Sequence, residues 1–227
     1  MNSLYLFFLA IFLLMLPERG HTQYYYRIEC DISIKNKAEG GEGALIMGRA
    51  YYDKSRNQMV YDIRFPEKEV WVIKDTLLYI HIDNELTQTQ RIDQYNQSTV
   101  FHKILEGQLN NYGLQGSIFS IKSIQRDDDM VITTWVPRTE AEQLGTILTS
   151  TVDDALYGVV FKNQEEQIIG RQLFRDYTVV SGLKFPKEII QVFYRDTLEE
   201  YQVFSFSNIT INNPGNEHMY AFPVTGR

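Results

Sequence analysis

The chain has 227 residues and a formal net charge of −7 at pH 7, with acidic and basic residues interspersed. No basic stripe follows a phosphate backbone, so we expect no nucleic-acid partner. Cys30 is the only cysteine, which excludes an internal disulfide. Fifteen Tyr and thirteen Phe, with alternating polarity and few helical periods, indicate a domain built mainly of β-strands.

Residues 1–22 are predicted to be a secretory signal peptide. Leu4–Leu16 is a run of thirteen residues, too short for a helix across a bilayer, which needs about 20. Gly20 and Thr22 are small residues that precede a predicted cut ahead of Gln23. A retained anchor is the alternative. Residues 23–227 are long enough for one domain with a sizeable core.

The strongest strand pattern lies in residues 58–65. Its apolar positions occur at every second residue, and these are Met59, Tyr61, Ile63 and Phe65. A period of two with one apolar side predicts a half-buried strand. After Pro66, Val70–Ile73 and Leu77–Ile82 are predicted to form a hairpin. Both are apolar at odd and even positions, so the pattern does not show which side chains face the core.

Other segments predicted to be strands are Tyr25–Ile34, Ala44–Tyr52, Glu85–Ile92, Phe119–Gln125, Met130–Val136, Tyr157–Phe161, Ile168–Tyr177, Phe185–Tyr194 and Glu200–Ile211. Cys30 has the apolar parity of the first of these strands, and we expect it to be buried. The acidic pairs Asp153-Asp154 and Glu165-Glu166 read as turns. Arg126–Asp129 reads as a charged hairpin turn, because no carboxylate spacing of a calcium loop follows it. Pro137–Gln143 is expected to form a helical turn.

One amphipathic helix is predicted, from an N-cap at Ser98 to about Gln108. Its apolar face holds Phe101, Ile104, Leu105 and Leu109. Such a stripe fits two roles, either a lid over a binding face or ordinary core packing.

Three stretches together resemble the periplasmic lipoprotein carriers of the LolA type. They read GRAYYDKSRNQMVYDIRFPEKEVWVIKDTLLYIHID from Gly48, FRDYTVVSGLKFPKEI from Phe174, and YQVFSFSNITINN from Tyr201, with YAFPV in the tail. The same order of elements extends from about residue 25 to 224. The resemblance implies an open, strongly curved antiparallel half-barrel. Short helices form a lid on its concave apolar face, which receives acyl chains.

The resemblance also implies a ligand-binding set on that concave face and lid: Ile32, Ile34, Ile46, Met59, Tyr61, Ile63, Phe65, Leu78, Ile80, Phe101, Ile104 and Leu105. Lys54 or Arg56 takes the place of a basic residue that contacts the lid in the carriers. A solvated hairpin tip is the alternative for both. The carriers begin with a helix, whereas Tyr24–Tyr26 lead directly into the first strand here. We therefore expect either a less covered hollow or one that these tyrosines cover.

The sequence offers little that suggests catalysis. Its four histidines, His21, His81, His102 and His218, show no metal-ligand spacing, and no nucleophile elbow, phosphate loop or dinucleotide motif is present. We therefore expect a monomeric, non-enzymatic carrier without a cofactor, located in the periplasm.

Its expected cargo is an acylated lipoprotein or a lipid. An inner-membrane exporter and an outer-membrane acceptor are its expected exchange partners. The alternatives are a sensor of envelope lipids or lipoproteins, and a structural domain that binds a protein at an edge strand.

Overall fold

The structure, a computed structural model, describes residues 24–38, 43–91, 97–139, 144–195 and 198–225. The strands are β1 (Arg27–Ala38), β2 (Ala44–Asp53), β3 (Gln58–Phe65), β4 (Glu69–Lys74), β5 (Leu77–Ile82), β6 (Glu85–Arg91), β7 (Phe119–Asp127), β8 (Met130–Pro137), β9 (Ile147–Val152), β10 (Ala155–Lys162), β11 (Ile168–Val180), β12 (Leu183–Arg195) and β13 (Leu198–Ile211). Helix α1 (Gln97–Leu105) and a 3₁₀ turn (Leu109–Asn111) separate β6 from β7, and helix α2 (Glu217–Tyr220) follows β13.

All thirteen strands form one antiparallel sheet in the order β6-β5-β4-β3-β2-β1-β13-β12-β11-β10-β9-β8-β7. The chain runs outward from β1 to the edge at β6. It crosses through α1 to the opposite edge at β7 and returns inward to β13, which pairs with β1. Among the described residues β6 and β7 stay unpaired on their outer sides, so the sheet is not closed into a barrel.

The sheet curves around α1. Thirteen flat strands would be roughly 58 Å wide at about 4.8 Å per strand, whereas a nine-residue helix is only about 14 Å long. The apolar cluster that contains Phe101 of α1 nevertheless also contains Leu78 of β5 and Trp135 of β8, each on a strand next to an edge of the sheet. This arrangement confirms the predicted fold, an open antiparallel half-barrel with a helix on its concave face.

Strands β4 and β5 are apolar on both sides because both sides are covered. Ile73 and Leu78 belong to the large cluster on the concave face. Val72 packs instead into a second cluster on the convex face, and Tyr79 borders that cluster. The structure thereby assigns the orientation that the sequence pattern left open.

The C-terminal tail forms the cover of the convex face. Met219 and Tyr220 of α2 pack with Tyr51, Val60 and Val72. The ring of Tyr220 meets the ring of Tyr51 edge-on, with centroids 5.6 Å apart. The tail is therefore part of the packed fold.

Several elements of the structure differ from the sequence expectations. Strand β9 (Ile147–Val152) was not predicted. Helix α1 begins at Gln97, so Ser98 lies inside it rather than at its N-cap, and it ends at Leu105 rather than near Gln108. In the segment expected to form a helical turn, Pro137 ends β8 and Arg138 begins a bend, while residues 140–143 lie outside the described residues. The predicted signal peptide also lies outside them.

Candidate functional site

The concave face carries the larger apolar cluster. Alternation places every second side chain of β1, β2 and β3 on this face, and the buried ones are Ile28, Cys30, Ile32, Ile34, Ala50, Tyr52, Met59, Tyr61 and Ile63. The other half of the sheet, on strands β8 to β11, contributes Trp135, Ile147, Val159, Phe161 and Phe174. Both halves belong to one cluster, so the concave side of the sheet encloses a single apolar core.

Most of the predicted ligand-binding residues lie in this cluster. Ile32, Ile34, Met59, Tyr61, Ile63 and Leu78 are each at most 8% exposed, and Ile46 and Ile80 are half-buried against them. Phe65 does not join them and is 49% exposed. The register shifts so that Gly48 faces Ile63 while Met47 faces Phe65. This bulge at Arg64 interrupts the alternation on which the expectation for Phe65 was based.

Helix α1 presents its predicted apolar side to the sheet. Val100, Phe101, Ile104 and Leu105 are buried. The Phe101 ring lies 5.3 Å from both Phe185 and Phe206, centroid to centroid. Four large side chains buried in this way contribute roughly 6–12 kcal/mol. The contact is wholly apolar and therefore has little directional preference.

Glycine terminates α1 through backbone geometry. Gly107 has φ +67°. Its N–H donates to the carbonyl of Ile104, and the N–H of Gln108 donates to the carbonyl of Lys103. This pair of bonds is a Schellman motif, which favours glycine because of the positive φ. After the motif the chain continues into the 3₁₀ turn (Leu109–Asn111).

Polar contacts hold the outer side of α1 to the β2–β3 hairpin. The hydroxyl of Tyr52 lies 2.8 Å from Nδ1 of His102, and Nζ of Lys54 lies 3.1 Å from Oε1 of Glu106, just beyond the helix. Of the two basic residues proposed for lid contact, Lys54 meets the end of the helix. Arg56 is exposed and faces a carboxylate of its own turn.

The charges at this rim are consistent with a neutral imidazole between them. Burial lowers the pKa of His102, although Glu106 opposes the shift. Burial acts to raise the pKa of Glu106, but the Lys54 hydrogen bond and the neighbouring cations lower it overall. With its proton on Nε2, which lies 3.3 Å from Glu106, His102 can accept from Tyr52 at Nδ1.

Tyr25 covers one end of the concave face. Its ring packs half-buried against the large cluster, and its hydroxyl donates to the carbonyl of Ser181 over 2.7 Å. Tyr24 is instead 67% exposed and stacks on Tyr26. Of the three N-terminal tyrosines, Tyr25 therefore supplies the cover.

A cavity of about 210 Å³ lies where the C-terminal end of α1 meets the sheet. Ile104, Leu109, Leu156, Tyr177 and Leu183 form its apolar walls, and Lys184 is at its polar rim. Drug-sized ligands occupy pockets of about 300–1,000 Å³. A long acyl chain therefore needs more room than this cavity provides while α1 is docked.

Sequence reasoning missed the contacts of Tyr25, Tyr52 and His102. Tyr52 belongs to a predicted strand and His102 to the polar side of the predicted helix. Fifty residues separate them in the chain. No local pattern brings such positions together. For Tyr52 the only indication in the sequence was its position near a strand end, in the alternation of the core-facing residues.

Neither the cysteine nor the described histidines form a recognisable catalytic group. Cys30 is fully buried, and burial raises the pKa of its thiol. Over the described ranges, no three or more His, Cys, Asp or Glu side chains are placed to hold a metal ion. The absence of catalysis stays a prediction from the sequence.

No protein-family model matches the chain, and no curated protein sequence matches it either. Its fold is similar to solved structures. A LolA superfamily protein from Nitrosomonas europaea has a TM-score of 0.56 at 12% identity, covering 86% of this chain and 90% of that one. A domain named for outer membrane lipoprotein sorting, from Vibrio parahaemolyticus, has a TM-score of 0.60 at 9% identity, covering 89% and 92%.

The chain has a LolA-like fold. A DUF1329 family protein from Desulfovibrio piger has a comparable TM-score of 0.58 at 9% identity, covering 86% of this chain and 90% of that one. LolA-like architecture is thus shared over most of each chain at very low identity. Among the described residues, no helix has the length and apolar character needed to cross a bilayer.

Proposed function

We propose that this domain carries acyl chains, on a lipid or an acylated lipoprotein, on the concave face of its sheet beneath α1. The observation that carries the proposal is the docking of α1 on the LolA-like sheet. A continuous apolar face spans both halves of the sheet. Helix α1 covers this face and is held there by apolar packing and a few polar contacts at one rim. Neighbours of the same fold include a protein named for lipoprotein sorting.

The energies of lid and ligand are balanced in this arrangement. A sixteen-carbon chain gains on the order of 10 kcal/mol on leaving water, at about 0.8 kcal/mol per methylene. The docked face of α1 gains roughly 6–12 kcal/mol. An acyl chain can therefore replace α1 on the sheet with little net change, which permits loading and unloading without ATP.

The proposal places the protein in the periplasm after removal of residues 1–22. An exporter at the inner membrane would supply the cargo and an acceptor at the outer membrane would receive it. The domain needs no catalytic group or cofactor for this task, because binding and release are both exchanges of apolar surface.

Binding of a fluorescent fatty acid to residues 23–227 tests the proposal. We expect saturable binding that palmitate reverses. Leu105→Glu puts a charge on the buried side of α1, so we expect altered association and release rates for the probe. Gln108→Glu adds the same charge at an exposed position and should leave both rates unchanged. Absence of binding, or unchanged rates with only a loss of stability in Leu105→Glu, would contradict the proposal.

The β7 edge favours a second candidate, a domain that binds a protein partner by strand addition. Ile121 and Ile124 of this edge strand are 52% and 61% exposed, and open edges accept extended segments of other chains. Mass spectrometry of material that co-purifies with the native protein separates the candidates. Acylated proteins support carriage of lipoproteins, free lipids support a lipid shuttle or sensor, and a lipid-free protein complex supports edge binding.

A further inference from the structure

The hydroxyl of Tyr61 is unusual among the tyrosines that border the concave cluster. The hydroxyls of Tyr52, Tyr112, Tyr177 and Tyr25 each have a partner, namely His102, Gln172 and the carbonyls of Leu156 and Ser181. Tyr61 is 3% exposed, and its hydroxyl has no hydrogen-bond partner among the described residues. Buried tyrosine hydroxyls usually find a partner.

The surroundings of Tyr61 on the sheet are almost wholly apolar; the thiol of Cys30, at best a weak acceptor, is close by but makes no hydrogen bond to the hydroxyl. Across the strands it faces Ala50 of β2 and Trp71 of β4. The indole N–H of Trp71 donates to Glu69 and provides no acceptor. Along β3 the neighbours on the same face are Met59 and Ile63, both buried and apolar. The hydroxyl thus gives up water without gaining a protein partner.

Burial also fixes the form of the group. Desolvation raises the pKa of Tyr61 well above its usual range, so the phenol keeps its proton and acts as a hydrogen-bond donor. A ligand that satisfies it must present an acceptor oxygen among apolar atoms. An acyl carbonyl at the head of a hydrocarbon chain has this combination.

We propose that the Tyr61 hydroxyl donates a hydrogen bond to the carbonyl oxygen of the bound acyl group, so that the concave face selects acyl esters and amides over plain hydrocarbon chains. This inference rests on the proposed acyl-binding function. The apolar side chains that now surround Tyr61 must move when the ligand enters. The hydroxyl lacks an acceptor before loading and gains one afterwards, so it favours the loaded state.

Tyr61→Phe removes the hydroxyl and keeps the ring. Displacement of the fluorescent fatty acid measures the affinities of methyl palmitate, N-methylpalmitamide and carbonyl-free octadecane. We expect Tyr61→Phe to weaken binding of an acyl ligand about tenfold, the size of a hydrogen bond to a buried group, and to leave octadecane unchanged. A loss confined to the ester indicates lipid esters as the source of the acyl group. A loss confined to the amide indicates amide-linked acyl chains of lipoproteins, and a loss for both indicates shared recognition.

Tyr220→Phe is the matched control, because its hydroxyl lies on the convex face and already donates to Glu29. It should lower stability without changing the preference for a carbonyl. Equal affinities of wild type and Tyr61→Phe for all three ligands would overturn the inference but leave acyl binding intact. Failure of the wild type to bind any of them would overturn the proposed function itself.

Two further readouts do not depend on affinity. The carbonyl stretch of methyl palmitate labelled with ¹³C should lie at lower frequency in the wild type than in Tyr61→Phe, and identical frequencies would contradict the hydrogen bond. Without ligand, Tyr61→Phe should melt at the same temperature as the wild type or higher. A clear drop in its melting temperature would show that the hydroxyl already has a partner within the protein, which also overturns the inference.

Discussion

The two faces of the sheet are covered in different ways. On the concave face α1 contributes apolar side chains to an apolar cluster, and its polar contacts lie at one rim. On the convex face the tail covers buried polar groups as well as apolar ones. Glu29, 1% exposed, lies 2.7 Å from Arg49 and accepts from Asn216 and Tyr220. Gln58 donates to the carbonyl of Phe222 over 2.9 Å.

The difference separates an exchangeable cover from a permanent one. A hydrocarbon chain can replace the buried side of α1, because that side is apolar. The polar contacts that its displacement would break, Tyr52–His102 and Lys54–Glu106, lie at the rim, where water can take their place. The same chain cannot replace the tail, because Glu29 would lose two of its donors and Gln58 would lose its acceptor. Uncompensated buried polar groups cost about 1–3 kcal/mol each, and charged groups cost more. Ligand exchange should therefore involve the concave face, while the tail stays docked.

The largest expected effect comes from removing the aromatic anchor of the tail. Tyr220→Ala should lower the free energy of unfolding by about 3–5 kcal/mol, as expected for loss of a buried aromatic ring, without a specific loss of acyl affinity. Urea denaturation and probe binding measure the two quantities. Tyr201→Ala truncates a tyrosine that is 41% exposed and should cost far less. A Tyr220→Ala protein that keeps its stability but loses acyl affinity would show that the tail also takes part in ligand binding.

Neutralising the buried carboxylate should have the next largest effect. Glu29→Gln keeps the shape of the side chain but removes the charge that faces Arg49, so we expect a loss of about 1–3 kcal/mol in the free energy of unfolding. Asp31→Asn is the control, since Asp31 is 40% exposed and lies 3.5 Å from the same guanidinium. Equal effects of both substitutions would show that burial by the tail does not strengthen the Glu29 interaction.

The sequence predicts the apolar strands well and the covers less well. Alternation in β3 correctly places Met59, Tyr61 and Ile63 on one face. Strand β9 escapes the same pattern because Thr149 occupies a core position, where it is 3% exposed and accepts from the indole of Trp135. The pairing of Gln58 with the tail joins positions 164 residues apart, and no local periodicity encodes it.

The pH dependence of stability gives a further way to distinguish the two faces of the sheet. Burial lowers the pKa of His81, which lies against Phe222 of the tail with both ring nitrogens unpartnered among the described residues. A histidine whose folded pKa is depressed stays neutral in the fold while the unfolded chain binds a proton. Stability should therefore be full above the unfolded pKa of about 6.5 and fall as the pH drops below it.

Substituting each histidine in turn shows which face of the sheet is responsible for the loss of stability at low pH. The pocket beside His81 is also lined by Asp62, Arg64, Lys68, Glu69 and Asp83. His81→Leu should remove part of the pH-dependent loss in urea titrations at pH 7.5 and 5.5. His102→Gln on the concave side should remove another part, because its pKa is lowered as well. An unchanged pH profile in His81→Leu would show that this ring does not govern the convex face.

The smallest expected effect lies at the rim of α1. Lys54→Glu replaces attraction to Glu106 with repulsion, and partly exposed ion pairs contribute only about 0.2–1 kcal/mol. We expect association of the fluorescent probe to accelerate about two- to fivefold, because less energy is needed to lift the helix. Docking of the tail on the convex face should be unchanged.

The double variant Lys54→Glu with Glu106→Lys restores opposite charges and should restore the original rate. Acceleration that persists in the double variant would mean that the rim pair does not hold α1 closed, leaving apolar packing and the Tyr52–His102 contact as its restraints.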